Sequence, residues 1–496
     1  MDTGTPSNHA HISAGRSKLA LKGVAWSFLN ILVSNGLTIA VFLVTSLLLQ
    51  PADFGAVALA TSIVIWAMTL VPIPIGDAIL HRRDLSDRHL NSAFWLTLAI
   101  GLAVMGMLYL CAPVLAGWTG VSLVTTLIPL LSLRILFVSL STVPAALINR
   151  RMAFRHITLR TALANGLGAA VCLIMVLQGF ALWALVFGQI MTNLVACVVS
   201  FWSSKWRPGF EFSFDAIRDL KDVTLFSMGG RMIDPTRINE ILIGSLMGPA
   251  VLGLYFFARR LCEFVQELIT GTLLPVSRTL FASLQTDERR QSDALILSTL
   301  AAATAAFPLF IGFTILAPTA IPFVFGSKWL GAVYAAQCLA LIGLLMSIGL
   351  IQGSFLRFSG HARWWFWFEC TLSTLGFAAI SVFAGNGLNS VVTALLLIAA
   401  VLWPIAAIKS ARALQISIPT IVMRCIAPPL VSVAGMAIAL FCLREFGPAL
   451  YGLSYLAAQV CLAVPVYCGL LLWLAADDLR LVLQQLKRAK SQGTRS

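Results

Sequence analysis

The chain has 496 residues, of which 59% are hydrophobic and only 11% are charged, and its mean hydropathy is +0.91. A soluble globular domain is about half apolar and about a quarter charged, so this composition excludes an ordinary soluble enzyme and indicates a protein embedded in lipid. The net charge of +14 is not gathered on a soluble basic surface, and we therefore predict no nucleic-acid partner.

Apolar runs of about 20 or more residues recur from end to end, and each is long enough to cross a bilayer. The first follows a polar tail and lacks the short apolar core and cleavage site of a signal peptide, so we expect it to be retained. The sequence therefore predicts an all-α polytopic membrane protein with about fourteen transmembrane helices. The predicted spans are 24–48, 55–80, 92–116, 121–149, 157–178, 180–203, 222–247, 250–278, 293–317, 328–355, 363–384, 388–408, 417–443 and 449–475.

The basic residues between these spans are distributed very unevenly. Of the 34 Lys and Arg residues, 26 fall in the tails and loops on one side, two on the other side, and six inside spans. An excess of Lys and Arg marks the cytoplasmic side of a membrane protein. We therefore expect both termini to be cytoplasmic, in a multi-pass protein of the bacterial cytoplasmic (inner) membrane.

Two stretches of the chain resemble each other. The segments "LLLQPADFGAVALA" (47–60) and "SLMGPAVLGLYFFA" (245–258) both contain Pro-Ala-x-x-Gly, and a second echo relates 108–113 to 313–318. Two matches in the same order, at a nearly constant offset, suggest a duplicated unit of about six spans. Parallel repeats of this kind are a transporter architecture, with the binding site between the halves near mid-depth.

The repeat leads to a domain organisation of two parallel six-helix lobes plus two C-terminal helices. Ser213 and Asp215 are expected to cap a short surface helix in the connector between the lobes. The predicted parts are a cytoplasmic tail (1–22), an N-lobe (23–204), a cytoplasmic connector (205–221), a C-lobe (222–410), two extra spans (411–475) and a cytoplasmic tail (476–496).

The segment "GGRMIDPTRINEILIG" (229–244) carries four charges in an otherwise apolar part of the chain. If the repeat holds, it lies within a span, 222–247, and its charges lie inside the membrane. The alternative is a single short span at 241–258, which would leave the charged segment as an amphipathic helix on the cytoplasmic surface.

Several arginines fall near the middle of predicted spans, as judged from the rise of 1.5 Å per residue. An Arg that faces lipid at mid-depth is costly, so these side chains are expected to face protein or a water-filled cavity between the lobes. There they would form the substrate-binding site. The candidates are Arg134, Arg231, Arg237, Arg259 and Arg260.

Pairing within single helices is the structural alternative for these charges. Arg231–Asp234 and Arg237–Glu240 have the spacing i,i+3, and Arg259–Glu263 has the spacing i,i+4. Arg134 has no acid in its own span, so for it the alternative is bonding to backbone carbonyls at a helix break.

Acidic residues in or near the spans are candidates for coupling transport to an ion. Asp77 follows two prolines and a glycine (72–76) that break the helix, although it could equally be an interfacial carboxylate paired with Arg82 or Arg83. Glu369 lies just beyond the aromatic belt "RWWFWF" (363–368). The full set of ion-coupling candidates is Asp77, Asp234, Glu240, Glu263 and Glu369.

No catalytic constellation is recognisable in the sequence. The six histidines fall in the N-terminal tail or in loops, no phosphate-binding GxxxxGK[ST] motif is present, and the ten cysteines show no metal-ligand spacing. We therefore predict that the protein is not an enzyme and that it has no cofactor and no metal site.

Several stretches together resemble the polysaccharide transporter family, the Wzx-type flippases. This family belongs to a superfamily that also includes drug/sodium antiporters and the lipid II flippase. The resemblance covers about residues 20–410. It is carried by "LLLQPADFGAVALA", "GDAILHRRDLSDRHLNSAFWLTL", "RRMAFRHITLRTALANGLGAA", "QGFALWALVFGQI" and "NEILIGSLMGPAVLGLYFFARRL".

The resemblance implies two six-helix lobes around a V-shaped cavity. It also implies a substrate, a polyprenyl-pyrophosphate-linked oligosaccharide that moves from the cytoplasmic to the periplasmic leaflet. Glu240 and Arg260 match charged positions of the family's motifs, whereas the family often has an acid where this chain has Thr161, so no role is transferred to that residue. Membrane lipid is an implied partner, and a polysaccharide polymerase is a further candidate.

The expected function is therefore a flippase that works by alternating access, with arginines neutralising the pyrophosphate. One alternative is a cation-coupled multidrug antiporter on the same fold, which would favour acids rather than arginines in the cavity. A membrane-embedded glycosyltransferase or polymerase is disfavoured because every loop predicted to face outward is short.

Overall fold

The computed structural model describes residues 35–82, 84–221, 224, 228, 235–283, 288–446 and 452–475. Across these ranges the regular structure is helical, and eleven helices are long and apolar enough to cross a membrane. The prediction of an all-α, multi-pass membrane protein is confirmed.

The described helices are joined mostly by short turns. In chain order they are α1 (Asn35–Leu48), α2 (Pro51–Ala67), α3 (Ile75–His81), α4 (Asp87–Thr119), α5 (Val124–Arg150), α6 (Phe154–Leu177), α7 (Ala181–Ser204), α8 (Phe214–Arg218), α9 (Pro235–Met247), α10 (Pro249–Ser283), α11 (Glu288–Phe325), α12 (Val333–Phe358), α13 (Ala362–Phe383), α14 (Leu388–Ala413), α15 (Ile418–Ile421), α16 (Ala427–Phe446) and α17 (Leu453–Leu474).

The helices follow the predicted spans, and two places are informative. The second predicted span is broken: α2 ends at Ala67, a short 3₁₀ turn follows, and α3 begins at Ile75, because prolines at 72 and 74 interrupt the helical hydrogen bonds. A single helix over 241–258 is not observed, because Gly248 adopts a φ of 85° and a new helix begins at Pro249. Three predicted spans correspond to α1, α9 and α10, which are not among the eleven helices above, so the count of fourteen stays a prediction.

The chain divides into two compact units, one running to Gly253 and the other beginning at Leu254. In the first unit, α5 is the central helix, since it packs against α2, α3, α4, α6 and α7. The hydrophobic core around its second half includes Ile79, Phe94 and Val143. The division into lobes at 205–221 that the repeat suggested stays a prediction.

The connector after α7 is held against the start of α4. The Gly209 amide donates to Asn91 Oδ1 at 2.9 Å, and the Trp95 indole donates to the Gly209 carbonyl at 2.8 Å. The Ser213 amide donates to Ser92 Oγ at 2.8 Å. Ser213 also caps α8, as predicted, by accepting from the Ala216 amide at 3.4 Å.

In the second unit the core is rich in aromatic residues. Phe257 of α10 stacks on Trp329 with ring centroids 3.9 Å apart, and both side chains are fully buried. A second cluster joins α12, α13 and α14 through Trp365 and Trp403. The predicted interfacial aromatic belt thus includes a tryptophan, Trp365, that packs in the core of this unit.

Candidate functional site

A buried polar cluster joins α2 and α9 in the first unit. Glu240, on α9, is fully buried and accepts a hydrogen bond from the Ser62 hydroxyl of α2. Glu240 also pairs with Arg237, whose Nη1 lies 3.0 Å from Glu240 Oε2. The intrahelical pair expected from the i,i+3 spacing therefore exists, and it is also bonded to a neighbouring helix.

Arg134 belongs to the same region of the first unit. It lies on α5, and the charge of Arg237 acts on its guanidinium. Its Nε is buried without a hydrogen-bond partner, and among the described residues Arg134 makes no ion pair. The carbonyl-bonded alternative is not seen for this Nε. Two guanidinium groups thus lie near one buried carboxylate, and the described part of the cluster carries a net positive charge.

Two of the predicted site residues, Arg231 and Asp234, lie outside the described residues. Their predicted pairing, and their part in the cluster around Glu240, stay predictions.

A second charged cluster lies on α10 in the other unit. Glu263 contacts Arg259 at 3.2 Å and Arg260 at 2.7 Å, and Arg260 also lies 3.8 Å from Glu267. Each arginine in addition faces a ring on its own helix, Arg259 over Phe256 and Arg260 over Phe264. The predicted i,i+4 pair is present, and the described part of this cluster has two cations and two carboxylates.

Glu369 lies elsewhere in the second unit, at the start of α13. It accepts a hydrogen bond from the Trp365 indole at 2.7 Å and lies 3.8 Å from Arg357. Half of its side chain is exposed. These contacts tie together the ends of α12 and α13.

Asp77 lines a pocket of about 230 Å³ between α3, α5 and α6. Arg82, one of its two predicted partners, instead pairs with Asp219 of the connector at 2.8 Å, and the other, Arg83, lies outside the described residues. The pocket is lined by Ile73, Gly76, Asp77, Leu80, Val138, Ser141, Thr142, Ala145, Ala146, Asn149 and Arg160.

Sequence reasoning missed Arg160 and Ser62. The count of basic residues placed Arg160 in the loop at 150–160, although the predicted span 157–178 also includes it. In the structure α6 begins at Phe154, so Arg160 lies almost two turns inside the helix. The uninterrupted run after Phe154, free of Gly and Pro for ten residues, was the available signal. Ser62 meets Glu240 across 178 positions of sequence, and no local pattern marks such a contact.

Among the described residues no group of three or more His, Cys, Asp or Glu side chains could hold a metal ion. The charged groups at these sites are arginines and carboxylates, most of them in ion pairs. Such groups can bind anions and hydrogen-bond to hydroxyls.

The family described as "Polysaccharide biosynthesis protein" matches residues 44–334 of the chain. The succinoglycan biosynthesis transport protein ExoT of Rhizobium meliloti (strain 1021) is 26% identical over 377 residues, which is 75% of this chain and 76% of that protein. The teichuronic acid biosynthesis protein TuaB of Bacillus subtilis (strain 168) is 23% identical, covering 76% and 78%. The lipopolysaccharide biosynthesis protein WzxC of Escherichia coli (strain K12) is 24% identical, covering 68% and 69%.

Solved structures of transporters share the fold. The structure titled "Lipid II flippase MurJ, inward closed conformation" superposes with a TM-score of 0.70 at 13% identity and covers 91% of this chain and 98% of that one. An inward-facing multidrug transporter of the MATE family superposes with a TM-score of 0.61 at 14% identity, covering 80% and 99%. At these identities the likeness establishes the fold alone.

Proposed function

Because the chain belongs to the polysaccharide biosynthesis protein family, we propose that it is a flippase for a polyprenyl-pyrophosphate-linked oligosaccharide. It moves this substrate from the cytoplasmic to the periplasmic leaflet of the inner membrane by alternating access, for the synthesis of a surface or secreted polysaccharide. It is a transporter rather than an enzyme, and its partners are the lipid-linked substrate and the surrounding lipid. A polymerase that uses the delivered oligosaccharide is a further partner.

The observation that carries this proposal is the unpaired cation on α5. Arg134 has no carboxylate partner among the described residues, its Nε is buried without an acceptor, and Arg237 adds a second positive charge nearby. Leaving the Arg134 guanidinium unneutralised in a membrane-spanning protein is costly unless a ligand binds it. A diphosphate does so well, because guanidinium groups bind phosphate oxygens through two parallel hydrogen bonds.

The second unit carries a further basic cluster that is a candidate for binding phosphate. Arg259 and Arg260 are paired with Glu263, so their charge is available to a phosphate only if the carboxylate is displaced or protonated. Because protonation of Glu263 would release both arginines, Glu263 is the first candidate for coupling transport to an ion. Asp77, Asp234, Glu240 and Glu369 remain secondary candidates for that role.

The orientation follows from the distribution of basic residues. With 26 Lys and Arg on one side and two on the other, we propose that both termini are cytoplasmic. A reporter that is active only in the cytoplasm, fused after Ser496, tests this orientation, and an inactive fusion in a stably inserted protein would reverse it.

The decisive experiment compares Arg134→Ala, Arg237→Ala and the double variant in a strain that lacks the native gene. Arg155→Ala is the matched control, because Arg155 is exposed near the start of α6. We expect each cluster variant to reach the membrane in normal amounts, to export at least tenfold less polymer, and to accumulate lipid-linked oligosaccharide. Full export by the double variant would refute the proposed role of the cluster.

The rival function, a cation-coupled multidrug antiporter, is distinguished by the same strains. An antiporter for cationic drugs would be helped rather than harmed by the loss of arginines. Unchanged polymer export combined with altered drug resistance in Arg134→Ala would favour that rival.

A further inference from the structure

A face of α5 connects the Arg134 cluster with the pocket at Asp77. Arg134, Val138, Ser141, Ala145 and Asn149 follow one another at spacings of three or four residues, so they lie along one side of the helix. Each is partly or fully exposed, whereas most residues on either side of this stripe are buried. The stripe therefore lines a surface that a ligand can reach, and it extends about 22 Å from Arg134 to Asn149.

Arg160 places a guanidinium group at the pocket at the far end of this stripe. Among the described residues it has neither an ion pair nor a hydrogen-bond partner, although it is partly buried and lines the pocket. Asp77 shares the pocket but is engaged in an interaction of its own. The Arg160 guanidinium can therefore donate hydrogen bonds to a ligand in the pocket.

The other polar groups of the pocket are suited to hydroxyls. The Ser141 and Thr142 hydroxyls donate to the Val138 carbonyl and keep acceptor lone pairs for a ligand. Asn149 supplies a donor and an acceptor, and Asp77 supplies carboxylate oxygens. The volume of about 230 Å³ lies below the range of about 300–1,000 Å³ that holds drug-sized ligands. The pocket thus has room for one small polar ring.

The charge balance favours a carboxylate over a phosphate. One guanidinium matches the single negative charge of a carboxylate, and its planar fork donates to both oxygens. A phosphate monoester carries up to two negative charges, so Asp77 repels it more strongly than it repels a carboxylate. The distance along α5 also argues against a phosphate at this pocket. A group at Ala145 lies about 16 Å from Arg134, which is too far for both positions to bind one pyrophosphate.

We propose that the pocket between α3, α5 and α6 binds a carboxylate-bearing sugar of the transported oligosaccharide, with Arg160 as the carboxylate receptor. This inference rests on the proposed function, since it takes the sugar from the lipid-linked substrate whose pyrophosphate is held at Arg134. It makes Arg160 a specificity-determining residue for acidic oligosaccharides.

Binding to the purified full-length protein in detergent tests the proposal without requiring transport. The probes are glucuronate, glucose and inorganic phosphate, each titrated while the thermal stability of the protein is followed. The variants are Arg160→Gln and, as a matched control on the same helix, Arg155→Gln. We expect glucuronate to stabilise the wild-type and control proteins, and glucose to act much more weakly.

In Arg160→Gln the apparent affinity for glucuronate should fall at least tenfold, equivalent to about 1.4 kcal/mol. An equal response to glucuronate in Arg160→Gln and wild type would overturn the proposal. A response to inorganic phosphate that depends on Arg160, without one to glucuronate, would also overturn it and would assign the pocket to a lipid headgroup. Either failure is distinct from a failure of the proposed function, which is read from export by the Arg134 variants.

Discussion

Gly55 and Gly253 lie against each other's helix in a reciprocal contact. A Cβ atom added at Gly55 would overlap the carbonyl oxygen of Pro249, and one added at Gly253 would overlap the carbonyl oxygen of Pro51. Pro51 and Pro249 are the first residues of α2 and α10. The two copies of the Pro-Ala-x-x-Gly motif, recognised in the sequence as a repeat, are therefore direct neighbours, and the glycine in each copy allows the close approach.

We expect Gly55→Ala and Gly253→Ala each to destabilise the protein, because a methyl group in this contact meets backbone rather than a movable side chain. Overpacking of this kind costs about 1–3 kcal/mol. Thermal unfolding of the purified protein in detergent measures the effect. Gly106→Ala in α4 is the control, because nothing lies within 4 Å of its added Cβ, and it should leave stability unchanged or slightly higher. Equal stability of all three variants would show that the two helices have room for a methyl group at this contact.

The hydrogen bond between Ser62 and Glu240 predicts a coupled effect on stability. Ser62→Ala removes one neutral-to-charged bond and should cost about 1.5–3 kcal/mol. Glu240→Gln should cost more, about 3–5 kcal/mol, because it also removes the buried partner of Arg237. A double-mutant cycle in detergent unfolding measures the interaction, and costs that simply add would mean that the two side chains are not coupled.

We predict that the attachment of the connector, residues 205–221, to the start of α4 depends on pH. Hydrogen bonding from His89, together with the charge of Arg82, holds the pKa of Asp219 below its usual value of 3.8. Because the pKa is lowered in the folded state, the Asp219 contacts stabilise the connector fully above pH 3.8 and are lost as the pH falls through the lowered value. We therefore expect Asp219 to cause no change in hydrogen exchange at residues 205–221 between pH 5 and pH 8, once the exchange is corrected for its intrinsic rate.

Asp219→Asn should speed hydrogen exchange of the connector at neutral pH. The amide keeps the shape of the side chain but lacks the negative charge that attracts Arg82. Asp215→Asn, on the exposed side of α8, is the control and should leave the exchange unchanged. If Asp219→Asn behaves like this control, other bonds, such as those of Asn91 and Trp95, hold the connector without help from Asp219.

The sequence by itself determined that this protein is embedded in lipid, and it determined the periodic features of the fold. Hydropathy and length predict helices because only a helix satisfies its own backbone hydrogen bonds in lipid. The prolines at 72 and 74 predict the break between α2 and α3, and the spacing of Arg237 and Glu240 predicts their ion pair. Each of these features depends on residues close together in the chain.

Only the tertiary structure decided which side chains from distant helices meet. Ser62 reaches Glu240 and Gly55 reaches Pro249 across nearly two hundred residues, and helical periodicity does not specify which faces pack together. The same is true of Arg160, whose place in the lining of a pocket with Asp77 depends on where α6 lies relative to α3 and α5. For the pocket the packing around α5 is decisive, because a helix with neighbours on most of its sides leaves only one stripe open to a ligand.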